Sequence, residues 1–117
     1  MEKPADFWDY IDALVRTSQI VIDRPRGSRH PRFPDLIYPL DYGYLEGTLS
    51  ADGCEVDLWR GSLVDPLLEA VLLSVDLVKR DVEINLLLGC TEQEMALALE
   101  ASHSGRMAAT IVRRGKE

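Results

Sequence analysis

Two loops of opposite charge follow one another near the middle of this chain. The acidic one reads Asp52-Gly-Cys-Glu-Val-Asp57. Carboxylates held this close repel one another, and a bound cation relieves that repulsion. Hard divalent ions such as Mg²⁺ take oxygen ligands from carboxylates, waters and substrate phosphates. Asp76 and Asp81 add two carboxylates around a 79–81 turn. If that hairpin lies beside the acidic loop, Asp52, Asp57, Asp76 and Asp81 share one or two metals. The basic loop, Arg24-Pro-Arg-Gly-Ser-Arg-His-Pro-Arg32, offers Arg26, Arg29 and Arg32 to an anion. The Tyr42 hydroxyl can donate to a phosphate oxygen. Together these residues spell a site for a metal-bound phosphate. On spacing alone, Asp52-Gly53 reads first as a turn pair and the basic run as a solvated loop. His30 reads as a loop histidine and Tyr44 as a core ring.

The whole chain bounds the chemistry further. It has 117 residues, enough for one domain with a single modest core. The net charge of −7 excludes non-specific nucleic-acid binding as a main role. No apolar run approaches the ~20 residues that span a bilayer. The amino terminus, Met-Glu-Lys-Pro-Ala-Asp, lacks a signal-peptide pattern. Cys54 and Cys90 have neither disulfide-framework nor metal-ligand spacing. A cytoplasmic protein with reduced thiols is the expectation.

The positioning elements are short. Residues 5 to 17 form an amphipathic helix with Phe7, Ile11, Leu14 and Val15 on one face. Residues 19 to 23 form a strand. Pro25, Gly27, Pro31 and Pro34 break regular structure through the basic loop. Residues 36 to 45 are strand-like but interrupted by Pro39 and Gly43, which suits an edge. Residues 56 to 59 form a short strand. Residues 70 to 78 and 82 to 88 form an antiparallel hairpin, because the connection is too short for a parallel crossover. Thr91-Glu-Gln-Glu94 is a capping box that starts a helix ending near Gly105. Residues 107 to 114 form a last strand. This order predicts an α+β domain on a small antiparallel sheet or partly closed barrel.

At these residues the chain resembles the family I soluble inorganic pyrophosphatases. That family carries Tyr-Pro-x-Asn-Tyr-Gly-(Phe/Tyr)-Ile-x-x-Thr-Leu running into Asp-Gly-Asp-x-x-Asp. The matching run here is Tyr38-Pro-Leu-Asp-Tyr-Gly-Tyr-Leu-Glu-Gly-Thr-Leu-Ser-Ala-Asp-Gly-Cys-Glu-Val-Asp57. Upstream, Ile22-Asp-Arg-Pro-Arg-Gly-Ser-Arg29 is similar to the family's Ile-Glu-Ile-Pro-Lys-Gly-Ser-Arg. The likeness is close over residues 20 to 59 and looser to about 88. It implies a five-stranded antiparallel OB-like barrel with an N-terminal and a C-terminal helix. It also implies Mg²⁺-dependent hydrolysis of pyrophosphate, with Asp52 and Asp57 as catalytic metal ligands. Asp23 matches a glutamate near the site, Tyr42 a phosphate-binding tyrosine, Arg32 loosely a lysine, and Asp76 and Asp81 loosely the distal aspartates.

Three departures accompany the resemblance. Cys54 replaces the middle aspartate of the acidic motif, and a thiol is a soft ligand ill-suited to Mg²⁺. The family's hairpin between the basic loop and the Tyr-Pro segment is expected to be missing. Glu83 stands where a lysine is usual, exchanging a phosphate-binding cation for an anion. Two functions therefore compete: a small hydrolase acting on pyrophosphate or another phosphoanhydride, and an inactive relative binding a phosphorylated ligand or a protein partner. The family assembles commonly, and the apolar strands offer a homo-oligomer an interface.

Overall fold

The computed structural model describes residues 6–115. Helix α1 (Phe7–Arg16) and helix α2 (Glu92–Ala101) flank a sheet of β1 (Gln19–Arg24), β2 (Asp41–Glu46), β3 (Val56–Arg60), β4 (Leu68–Asp76), β5 (Asp81–Leu88) and β6 (Met107–Arg113). Among the described residues no helix is long and apolar enough to cross a membrane.

Both helices begin on reciprocal caps. The Asp6 carboxylate accepts from Asp9 N and the Asp9 carboxylate accepts from Asp6 N. Thr91 Oγ1 accepts from Glu94 N, and Glu94 returns the bond to Thr91 N. Glu94 also accepts from Ser62 N at 3.1 Å, which ties α2 to the turn after β3. Helix α2 stops at Ala101, short of Gly105, because Ser102 caps it and its hydroxyl bonds back to Ala98 O. Thr91→Ala is expected to cost about 1 kcal/mol through the lost cap. A fall of roughly 4 °C in Tm would register it.

The sheet order is β1-β2-β3-β5-β4-β6. Every pairing is antiparallel except β3 with β5, where Leu58, Trp59 and Arg60 run parallel to Leu86, Leu87 and Leu88. The α+β class therefore holds. The five-stranded antiparallel barrel is corrected to a six-stranded mixed sheet whose edges are β1 and β6. The segment between β3 and β4 carries the chain past the place where β5 pairs. The 70–88 hairpin thus presents its second strand to β3, with the same direction as β3. Residues 36 to 40 do not join the expected strand, and β2 starts only at Asp41. They fold instead against the basic loop: Arg29 bridges Ile37, Tyr38 N donates to Ser28 O, and His30 N donates to Leu36 O. A small hairpin thus occupies the place where none was expected.

Strand alternation sorts the core into two faces. On one, Trp59, Leu72 and Leu87 pack with Met95 and Ala98 of α2. On the other, Leu45, Leu58, Val71 and Leu86 pack under Trp8, Ile11 and Val15 of α1.

Candidate functional site

A cavity of about 630 Å³ opens on the α2 face of the sheet. Three strands each give it an i, i+2 pair, as a period of two requires. These are Asp57 and Trp59 of β3, Ser74 and Asp76 of β4, and Glu83 and Asn85 of β5. Asp23 and Arg24 enter from β1, where the pairing with β2 shifts register between Ile22 and Arg24. The small hairpin adds His30, Phe33 and Tyr38. The segment after α2 adds His103 and Arg106.

Three rings, Tyr38, Tyr42 and Trp59, make one wall with centroids 4.8–5.8 Å apart. The Arg24 guanidinium donates to the Tyr38 hydroxyl. Arg106 lies 5.0 Å from the Phe33 ring centroid and 3.3 Å from the Asp76 carboxylate. His30 Nδ1 accepts from the backbone N–H groups of Arg32 and Phe33. Burial, and the cations Arg24, Arg106 and Arg32, hold its pKa below the usual histidine value. The His30 ring thus closes its own turn through Nδ1.

Asp57 is the most perturbed carboxyl in the cavity. Burial pushes its pKa up to about 6; hydrogen bonding to Tyr42 pulls the other way, and the charges of Glu83, Asp52 and Asp23 add to the rise. Burial and the Asp57 charge likewise drive the Tyr42 hydroxyl far above its ordinary value, so it remains a donor.

The other expected ligands do not converge on Asp57. Asp52 is exposed and closes its own turn, with Oδ1 accepting from Ser50 Oγ at 2.6 Å and Cys54 N at 2.9 Å. Asp76 lines the cavity, but its Oδ1 accepts from Val78 N and Lys79 N. The Lys79 bond leads the Val78 bond and the Arg106 charge in holding its pKa low. Asp81 sits on the hairpin 3.5 Å from Lys79. Among the described residues, no three His, Cys, Asp or Glu side chains stand in metal-binding geometry. Cys54 is an exposed free thiol.

The expected anion binders also divide. Tyr42 lines the cavity, whereas Arg26, Arg29 and Arg32 do not. Arg29 donates to Pro34 O, and Arg26 gives its backbone N–H to Asp41. The small hairpin turns these side chains outward. The cations at the cavity are Arg24, Lys79 and Arg106. Lys79 bonds Glu83 at 3.2 Å, so Glu83 carries its own counter-ion. Polar residues two apart in apolar strands (Ser74 with Asp76, Glu83 with Asn85) are the signal from which this floor could have been read, and the sequence reading passed over it. Nothing local points to Arg106.

Within the floor, Trp59 Nε1 and Asn85 Nδ2 are buried donors without a hydrogen-bond partner among the described residues. As to the metal, the cavity lining carries hard donors, the carboxylates of Asp57, Asp23 and Glu83. The charges of the latter two help raise Asp57, but the three do not stand together as a ligand set. The Cys54 side of the motif offers a soft thiol.

No protein-family model matches this chain. No curated protein is significantly similar to it.

Proposed function

We propose that this protein is a divergent pyrophosphatase-like hydrolase that takes pyrophosphate, or a related phosphoanhydride, into the cavity on the α2 face. The observation that carries the reading is a half-buried, charge-crowded Asp57 beside Tyr42, in a cavity rimmed by Arg24, Lys79 and Arg106. Cations at the rim neutralise phosphoryl oxygens, and Tyr42 donates a hydrogen bond to one of them. Asp57 would be the carboxylate that meets Mg²⁺, with Asp23 and Glu83 elsewhere on the same cavity lining. When bound, the metal supplies Lewis-acid activation of water and phosphate. This moves the arginine role from Arg26, Arg29 and Arg32 to Arg24 and Arg106. It leaves Asp52 and Asp81 as outer carboxylates. On the same reading, strands β1 to β5 correspond to the family's OB-like barrel. Residues at both edges of the sheet, Arg24 and Met107, line one cavity, which supports a strongly curled sheet. A reducing, cytoplasmic setting suits the two free thiols.

The test is phosphate release from pyrophosphate with and without Mg²⁺. Turnover that needs the metal and disappears in Asp57→Asn supports the reading. No release above blank at high enzyme concentration defeats it. The second reading, a binder without turnover, is favoured by Cys54 and by the turn that engages Asp52. It expects pyrophosphate to raise Tm while no phosphate appears. Cys54→Asp separates the two, because it restores the acidic motif's hard ligand on the exposed turn before β3. We expect at least about a tenfold gain in turnover, or about 1.4 kcal/mol off the barrier. An unchanged rate would show that position 54 is not what limits the site.

A further inference from the structure

Of the three cations that line the cavity, two are already engaged. Lys79 stands 3.2 Å from Glu83 and 3.5 Å from Asp81. Arg24 gives a terminal nitrogen to the Tyr38 hydroxyl. Arg106 is different. Its Nε stands 3.3 Å from the Asp76 carboxylate, and its guanidinium carbon lies 5.0 Å from the Phe33 ring centroid. Among the described residues, no group accepts a hydrogen bond from either of its terminal nitrogens. The guanidinium is thus held by one edge and by one face, and its forked end is left over. That fork is the part of an arginine that meets two oxygens of one phosphoryl group.

The two holds come from different parts of the fold. Asp76 is buried at the end of β4, and its Oδ1 accepts from Val78 N at 2.9 Å and Lys79 N at 3.0 Å. These bonds fix the carboxylate to the hairpin turn and leave Oδ2 for Arg106. The backbone repeats the link, because Leu77 N donates to Arg106 O at 2.9 Å. Phe33 belongs to the small hairpin, so the stacked guanidinium ties that hairpin to the start of β6. A long side chain loses rotamer freedom when a ligand orders it. One that the protein has already ordered binds more tightly for the same contacts.

We propose that Arg106 is the residue that grips a phosphoryl group in this cavity, and that Asp76 is its positioning residue rather than a metal ligand. The inference rests on the reading of the cavity as a phosphoryl site and deepens it. Both oxygens of Asp76 already have partners within the protein, which is why its carboxylate serves the arginine and the turn.

Inorganic phosphate is the probe, because no turnover consumes it. Phosphorus NMR titration in Mg²⁺ buffer follows its binding. Arg106→Lys keeps the charge and loses the fork, and it is expected to weaken phosphate by about tenfold. Arg16→Ala removes a cation from helix α1, over the opposite face, and is expected to leave the affinity within about twofold. Asp76→Asn keeps an oxygen for the Val78 and Lys79 N–H groups, so the turn survives. Loss of its charge favours an anion whether or not Arg106 is there. Loss of positioning disfavours the anion only when Arg106 is there. A double-mutant cycle of Asp76→Asn with Arg106→Ala is therefore expected to show coupling of about fivefold or more. Circular dichroism checks the fold; if Asp76→Asn unfolds, Phe33→Leu removes the other hold and takes its place in the cycle with the same expectation. Additive effects overturn the positioning role. An Arg106→Lys variant that binds phosphate as well as the wild type overturns the grip, and a wild type without saturable binding overturns both. Coupled phosphate binding without pyrophosphate hydrolysis sinks the hydrolase reading and supports this one, so the two fail separately.

Discussion

Alanine at position 43 is expected to detach β1 from the sheet. A Cβ on Gly43 would lie 1.8 Å from Val21 O, 2.8 Å from Val21 C and 2.9 Å from Ile22 Cα. These are backbone atoms of the neighbouring strand, so no rotamer change relieves the clash. Ile22 pairs with Gly43, and the register shift that follows brings Asp23 and Arg24 to the cavity. Relief means pulling β1 away and losing both its ladder to β2 and its packing. We expect a loss exceeding about 4 kcal/mol, a size reserved for core disruption and strain. Against a typical domain stability of roughly 5–15 kcal/mol, that leaves a marginal fold. Gly105→Ala is the control, because nothing lies within 4 Å of its Cβ and its φ is unrestricted. Urea midpoints measure the difference. Equal midpoints for the two variants would contradict the close approach of β1 and β2.

The same glycine shows what the sequence makes legible. Gly43 was readable as a break in a strand, but not as the point where a neighbouring backbone crosses, because that contact is made with a residue 22 positions away. Local chemistry was fully readable. The Thr91–Glu94 box, the 70–88 hairpin and the Asp52 turn all depend on neighbours within a few residues, and each forms. Charge type was readable and charge direction was not. Arg26, Arg29 and Arg32 follow Arg24 closely in sequence, yet only Arg24 reaches the cavity, because the hairpin closed by the Arg29–Ile37 bridge gives the cavity His30 and Phe33 and leaves those three arginines exposed. The six strand segments were visible in apolar patterning. Their order was not, since pairing β3 with β5 rather than β4 rests on the path of residues 61–67. Arg106 and its contact with Asp76 depend on where β6 docks, which no spacing encodes.

Asp57→Asn is expected to move function and stability in opposite directions. The carboxyl titrates near 6 in the folded protein against 3.8 ordinarily, chiefly through burial. A raised folded pKa means that the native state binds the extra proton between these values. Asp57's contribution to stability is then fully present below about pH 3.8 and is lost as pH rises through about 6. The side chain is only half-buried, so solvent screening cuts the cost at higher pH to roughly 1–2 kcal/mol. Asparagine keeps an oxygen to accept from Tyr42 and removes the charge that Glu83, Asp52 and Asp23 oppose. At pH 8 the variant should therefore melt about 3–6 °C above the wild type, and its stability should change less between pH 4 and 6. Added Mg²⁺ should raise the Tm of the wild type and leave that of the variant unmoved. Phosphate release should fall by about a thousandfold or more, the scale on which electrostatic groups at a reacting centre act. Calorimetry across pH, with and without the metal, and a phosphate assay on the same samples separate the outcomes. A variant less stable than wild type at pH 8 would mean that Asp57 is paired for structure. An unchanged release rate would take the chemistry away from β3. The combination of gained stability and lost turnover is what distinguishes a carboxylate held in readiness for a cation from one that merely closes the sheet.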